Sequence, residues 1–236
     1  MKQSMVLLHG LFGQLSNWDS VVEQFSHSYT IYIPSLPIDD TPKNDPLYFL
    51  VDYLERYIAE HQLKNIVLAG NSLGGHLAIL YTSRHSHNVS NLILTGSSGL
   101  FENTNMGSFP KRSSADYIKA RVEYTFYDPA IATADLVSRV LSITRDTAKC
   151  LAVLRVAKSA QRHYVADLLP GITVPTLLIW GREDRITPMT VARDFANLIP
   201  DTTLVVLDEC GHAPMMEKPA EFNNALLQYL GQDIAV

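Results

Sequence analysis

Cysteine is scarce in this chain. Two occur in 236 residues, Cys150 and Cys210, far apart and with no other ligand type at metal-binding spacing. They outline neither a disulfide framework nor a metal site, and they read as free thiols in a reducing compartment. Runs of lysine or arginine are also missing, and the formal net charge is −5. The electrostatic footprint of a nucleic-acid-binding surface is therefore absent, and no nucleic-acid partner is expected. Long apolar runs are missing too: no segment approaches the ~20 residues that cross a bilayer. The apolar stretch near the N-terminus is too short for the core of a secretory signal and runs directly into what reads as structure. No membrane partner and cytoplasmic residence are the expectation. There is no internal repeat and no low-complexity tract.

What remains is ordinary globular composition, 47% hydrophobic and 18% charged. A chain of this length buries a sizeable core without staples, and it fits one large α/β domain as well as two small ones. Short continuous apolar runs read as buried strands at Met5–Leu8, Asn65–Ala69, Asn91–Thr95, Thr176–Trp180 and Thr203–Leu207, with a further strand over Tyr29–Leu36 stopped by Pro34 and Pro37. Helical spacing appears over Trp18–Phe25, Leu47–His61, Leu73–Tyr81, Met189–Leu198 and Ala220–Leu230. Apolar strands alternating with amphipathic helices predict a mostly parallel sheet covered on both faces. The alternation fails once. Residues 101–169 offer no strand but three helical stretches, 114–124, 129–144 and 147–167, which reads as an all-helical insertion into an α/β core made of residues 1–100 and 170–236.

Gly70-Asn71-Ser72-Leu73-Gly74 is a Gly-x-Ser-x-Gly between a predicted strand and a predicted helix. That context makes a nucleophile elbow: a sharp turn exposes the serine, and backbone passes so close that only small residues fit at Gly70 and Gly74. Ser72 also stands at a helix N-terminus, where the dipole favours nearby negative charge. A serine hydroxyl needs a base and an orienting acid. Downstream, Asp184 follows the Thr176–Trp180 strand and His212 follows the Thr203–Leu207 strand. The candidate triad Ser72, Asp184 and His212 is therefore gathered at one edge of a parallel sheet, where α/β folds place their sites. Glu183 and, less directly, Asp208 rival Asp184 as the acid. Acyl transfer also needs two donors for the developing oxyanion. One is the backbone N–H of Leu73. The other belongs to the turn His9–Gly13, with Leu11 the first choice and Phe12 the alternative. His9 itself reads as a buried structural histidine.

The strings HGLFG, GNSLGG, WGREDRITP and ECGHAPMMEKPAEFN together resemble the α/β-hydrolase superfamily over roughly residues 5–100 and 170–232. The resemblance implies the α/β-hydrolase fold with a helical cap at 101–169, the triad Ser72–Asp184–His212, and catalysis with no cofactor and no metal. Its nearest form is that of esterases and meta-cleavage-product carbon–carbon hydrolases. Serine at 72 argues against the haloalkane dehalogenases and epoxide hydrolases, which carry aspartate there. Two departures stand out: the chain starts almost at the HG strand, and PSLPIDDTPKN replaces the usual Asp-x-x-Gly-x-Gly-x-Ser loop.

These features predict a serine hydrolase acting on a small-molecule ester. The alternatives are carbon–carbon cleavage by the same triad and a slow-turnover ligand receptor. Phe12, Tyr124, Phe126 and Met215 are the expected substrate-binding residues, with Tyr117, Tyr127 and Met216 nearby. Arg121 and Arg155 are candidates to meet a substrate carboxylate.

Overall fold

The computed structural model describes residues 2–13, 18–103 and 111–231; small parts of the expected core (1, 14–17, 232–236) and of the expected insertion (104–110) lie outside the described residues. Strands β1 (Gln3–Leu8), β2 (Tyr29–Tyr32), β3 (Ile66–Asn71), β4 (Val89–Thr95), β5 (Thr176–Gly181) and β6 (Thr202–Leu207) form one sheet in the order β2-β1-β3-β4-β5-β6. Every pairing in it is parallel. The central strands are mostly apolar because helices cover both of their faces: all six residues of β3 and of β5 are buried.

Successive side chains of a strand point to opposite faces, and the core divides accordingly. Val6, Leu8, Leu68, Leu94, Leu178 and Trp180 face one cluster, together with α2 (Pro46–Glu60), α3 (Leu73–His85) and α7 (Met189–Leu198). Met5, Leu7, Val67, Ile93, Leu177 and Ile179 face the other, together with α1 (Asp19–Phe25) and α9 (Pro219–Tyr229). Full burial of an aliphatic side chain of this size contributes about 1.5–3 kcal/mol.

Between β4 and β5 the chain makes α4 (Ala115–Glu123), α5 (Ala134–Arg145) and α6 (Thr147–Arg162), and no strand among the described residues. Each helix begins where a short polar side chain accepts from its first turn: Ser114 from Tyr117 N–H, Thr133 from Leu136 N–H, and Asp146 from Ala148 and Lys149 N–H. Val153 and Val156 of α6 join the α2–α3 side of the core. Ile118 and Val122 of α4 and Val140 of α5 join the α1–α9 side.

Several boundaries differ from the sequence reading, three of them for a visible reason. Strand β2 ends at Tyr32, two residues before Pro34. The stretch 129–144 is a short 3-10 turn at Pro129–Ile131 followed by α5, because Thr133 starts a helix of its own. Helix α6 ends at Arg162 rather than 167. The N–H of Val165 donates to Gly99 O (2.9 Å) instead of to a carbonyl one turn back.

From β1 the chain goes to β2 on one side and then crosses to β3 on the other. The strand order therefore reverses between β1 and β3, and a crevice opens at their carboxyl ends.

Candidate active site

Ser72 sits at that crevice, between the last residue of β3 and the first of α3, with φ 54° and ψ −119°. Left-handed backbone at a residue with a Cβ costs about 1–3 kcal/mol and persists only where its surroundings hold it. Here the Ser72 N–H donates to Thr95 O (3.1 Å), and Ser72 O accepts from His76 N–H (3.2 Å) and Ser98 N–H (3.1 Å). The two glycines of the motif make the turn possible. A Cβ on Gly70 would overlap the Gly74 carbonyl, and one on Gly74 would overlap the Leu8 carbonyl of β1.

Asp184 and His212 meet at the ends of β5 and β6. His212 Nδ1 lies 2.8 Å from Asp184 Oδ2, and both side chains are buried. The carboxylate is saturated with donors. Oδ1 accepts from Ile186 N–H (2.8 Å) and Thr187 N–H (2.9 Å), and Oδ2 also accepts from the Thr187 hydroxyl (2.8 Å). Donors so placed replace the water that the buried carboxylate has lost. Burial by itself pulls the His212 pKa down. The charge and hydrogen bond of Asp184, with the charges of Glu102 and Glu217, outweigh it, and the pKa is raised above the ordinary histidine value. With Nδ1–H donated to Asp184, Nε2 is the nitrogen left to act as a base.

The two rival acids are engaged elsewhere. Glu183 Oε2 accepts from Cys210 N–H (3.1 Å), and Asp208 pairs with Arg182 on the surface.

The histidine loop is held from three directions. The His212 N–H donates to Thr125 O beyond α4 (2.9 Å). The Asn71 amide donates to His212 O (3.0 Å) and to Thr95 O (3.1 Å). Glu217, on the short helix α8 (Pro214–Glu217), accepts from Gly211 N–H (3.0 Å), Ala213 N–H (3.3 Å) and Tyr127 N–H (2.7 Å). Asn71, Thr187 and Glu217 escaped the sequence reading. The only signal for Glu217 is a carboxylate five positions after His212 in a turn framed by Pro214 and Pro219.

The turn after β1 runs beside the elbow: a Cβ built on Gly10 would lie 3.2 Å from Ser72 Cβ. His9 fixes this turn. Its Nδ1–H donates to Gly10 O (2.7 Å) and its Nε2 accepts from Leu36 N–H (3.2 Å), a pairing that only the neutral ring can make. Burial lowers its pKa and outweighs the Gly10 bond, which acts in the opposite sense.

Ser72 and His212 line one cavity of about 190 Å³. Leu11, Phe12 and Phe126 share its wall, together with side chains of α4, α5 and α6 such as Val122, Leu136, Val140 and Val153. Two expected residues are placed elsewhere. Tyr124 stands off the wall, its ring facing the guanidinium of Arg185 at 5.5 Å and that of Arg121 at 6.0 Å. Met215 is buried in the core on the α1–α9 side, and its neighbour Met216 faces the cavity. The single turn of α8 sets this phase. Arg121 lines the cavity; Arg155 instead donates to Thr41 O (3.4 Å). Among the described residues no helix is long and apolar enough to cross a membrane.

Comparison with known proteins agrees with the fold. The model of the alpha/beta hydrolase family matches residues 5–225. A 2-hydroxy-6-oxononadienedioate/2-hydroxy-6-oxononatrienedioate hydrolase of Cupriavidus pinatubonensis is 27% identical over 75% of this chain, which spans 66% of that protein's length. A pimeloyl-[acyl-carrier protein] methyl ester esterase of Nitrosomonas europaea is 28% identical over 92% of each chain. Among solved structures, an alpha/beta hydrolase enzyme from the metagenome of sediments of the Mar Chica lagoon, Morocco, superposes with a TM-score of 0.79 at 35% identity. That match covers 98% of this chain and 91% of the other.

Proposed function

The chain belongs to the alpha/beta hydrolase family, and from that premise we propose that it is a serine hydrolase that cleaves a small carboxylic ester through an acyl-enzyme. The observation that carries this reading is the meeting, in one cavity, of a strained serine at a strand–helix turn and a buried histidine paired with a saturated carboxylate.

His212 Nε2 takes the proton of Ser72 Oγ as the oxygen attacks the ester carbon. The backbone N–H groups of Leu73 and Leu11 hold the oxyanion, with Phe12 N–H the alternative to Leu11. Asp184 fixes the tautomer and stabilises the imidazolium without taking its proton. As the tetrahedral species collapses, His212 gives the proton to the departing alkoxide. His212 then deprotonates a water, which attacks the acyl carbon. Ser72 leaves with the proton, and the acid is released.

Helices α4–α6 act as the cap. Supporting this, they supply much of the cavity wall; in that role they shield the acyl group from water. The modest, mainly apolar cavity suits a small acyl chain; Phe12, Phe126 and Met216 are the proposed contacts.

The relative that hydrolyses a 2-hydroxy-6-oxo dienedioate favours a second reading, carbon–carbon cleavage by the same residues. A p-nitrophenyl acyl-chain series, run beside product analysis on a vinylogous 1,5-diketone, separates the two. Short-ester turnover with an inert diketone supports the esterase. Cleavage of the diketone with faint ester turnover supports the second reading. Strong labelling by a fluorophosphonate with turnover of neither leaves a ligand receptor.

A further inference from the structure

We propose that Glu217 is a positioning residue for His212, its carboxylate fastening the histidine loop to the inserted helices so that the imidazole reaches Ser72. The inference rests on the serine hydrolase reading and deepens it. Oε1 of Glu217 accepts from the N–H groups of the residues on both sides of His212, Gly211 (3.0 Å) and Ala213 (3.3 Å). Oε2 accepts from Tyr127 N–H (2.7 Å), in the segment that follows α4. One side chain thus joins two pieces of backbone far apart in sequence.

The same two pieces touch directly. His212 N–H donates to Thr125 O at 2.9 Å. A Cβ on Gly211 would crowd Thr125 O, Tyr127 N and Phe126 C at 2.8–3.0 Å. The inserted segment 125–127 and the loop 211–213 therefore share one set of hydrogen bonds, with Glu217 as the acceptor common to three of them. If that carboxylate is removed, three N–H groups lose their acceptor, and the loop carrying the base keeps only the His212 N–H bond to Thr125 O as its tie to that segment.

The charge of Glu217 acts on the same group. The charges facing this corner are Asp184, Glu102 and Glu217 around His212, and Glu183 and Lys218 beside Cys210, with Lys218 also 3.6 Å from Glu209. Glu217 is one of the negative charges that favour the imidazolium. Burial raises its own pKa, an effect reinforced by Asp184, while the three backbone donors oppose it.

The test compares wild type, Glu217→Ala and Glu217→Gln for p-nitrophenyl butyrate hydrolysis across pH, with thermal unfolding of each. Misplacing a base by about an ångström costs on the order of 10²-fold, so kcat in Glu217→Ala should fall about 10- to 100-fold while KM stays within about twofold. Glu217→Gln keeps one acceptor oxygen and should recover part of the loss. In both variants the acid limb of kcat/KM should move to lower pH. If Glu217→Ala does not fold, Glu217→Gln carries the test. A folded Glu217→Gln with wild-type kcat and an unmoved acid limb, whatever its melting temperature, would make the carboxylate merely structural and overturn the proposal. A change confined to KM would overturn it in favour of a substrate contact. Absence of both ester turnover and fluorophosphonate labelling in the wild type would overturn the serine hydrolase reading itself, and this inference with it.

Discussion

The amide of Asn71, the residue before the elbow serine, donates to the main-chain carbonyl of His212 at 3.0 Å. Its second hydrogen goes to Thr95 O at 3.1 Å. One buried side chain therefore holds together the tips of β3 and β4 and the loop of the histidine. Asn71→Ala takes the donor from His212 O, costing about 1–3 kcal/mol if that carbonyl stays buried and unpaired, while Thr95 O keeps its bond from Ser72 N–H. Thermal unfolding should show a lowered melting temperature. Steady-state kinetics should show a reduced kcat, though one well above that of a variant lacking Ser72.

Glu183 and Asp184 are adjacent, and only the second bonds His212. Asp184→Asn should reduce kcat by on the order of 10³–10⁴-fold, because the imidazole loses its tautomer and its counter-charge. Glu183→Gln keeps an acceptor near Cys210 N–H and should retain most of the activity. Equal losses in the two variants would reopen the choice of acid.

The raised pKa of His212 makes activity and stability respond to pH in opposite senses. The base must be neutral, so kcat/KM should fall as the pH drops through the folded-state pKa, with a midpoint above the ordinary histidine value of about 6.5. For stability the sign reverses. A group whose pKa is higher folded than unfolded stabilises fully below the unfolded value, and that contribution is lost as the pH rises through the folded value. Between these two values His212 should favour the folded state more at the acid side, while hydrolysis is failing there. Comparing wild type with Asp184→Asn by pH-rate profile and by pH-dependent unfolding isolates the contribution.

Met215 and Met216 are neighbours with different surroundings. Met215 is 2% exposed within the core, so Met215→Ala should destabilise by about 2–5 kcal/mol and leave chain-length preference alone. Met216 faces the cavity. Met216→Ala should move the preferred acyl length toward longer chains and change the melting temperature much less. Denaturant unfolding and the p-nitrophenyl series check both.

The parts of this molecule that could be read from the sequence are those set by local pattern. The strand–turn–helix around Ser72 needs its glycines for reasons confined to a few residues, and the apolar runs of β3 and β5 follow from burial on both faces. Asp184 and His212 were recognisable by their positions after strands. The histidine pairs specifically with Asp184 because the Ile186 and Thr187 amides turn that carboxylate inward, which a linear reading cannot supply. A four-residue helix is too short to show periodicity, so the phase that buries Met215 and turns Met216 to the cavity was hidden. Tyr124 looked like a pocket residue by type, yet two guanidinium groups claim its ring. The end of α6 and the roles of Asn71 and Glu217 depend on backbone groups from distant elements, such as Gly99 O, His212 O and Tyr127 N.

On the proposed reading, His212 and its partner activate Ser72 as a nucleophile. Labelling by a fluorophosphonate probe, comparing wild type with a folded Ser72→Ala variant, tests it most directly. The expected result is one covalent adduct per chain on Ser72, formed in the wild type and absent from Ser72→Ala. A wild-type protein that takes no label, or a Ser72→Ala protein that labels as fast as wild type, would contradict it.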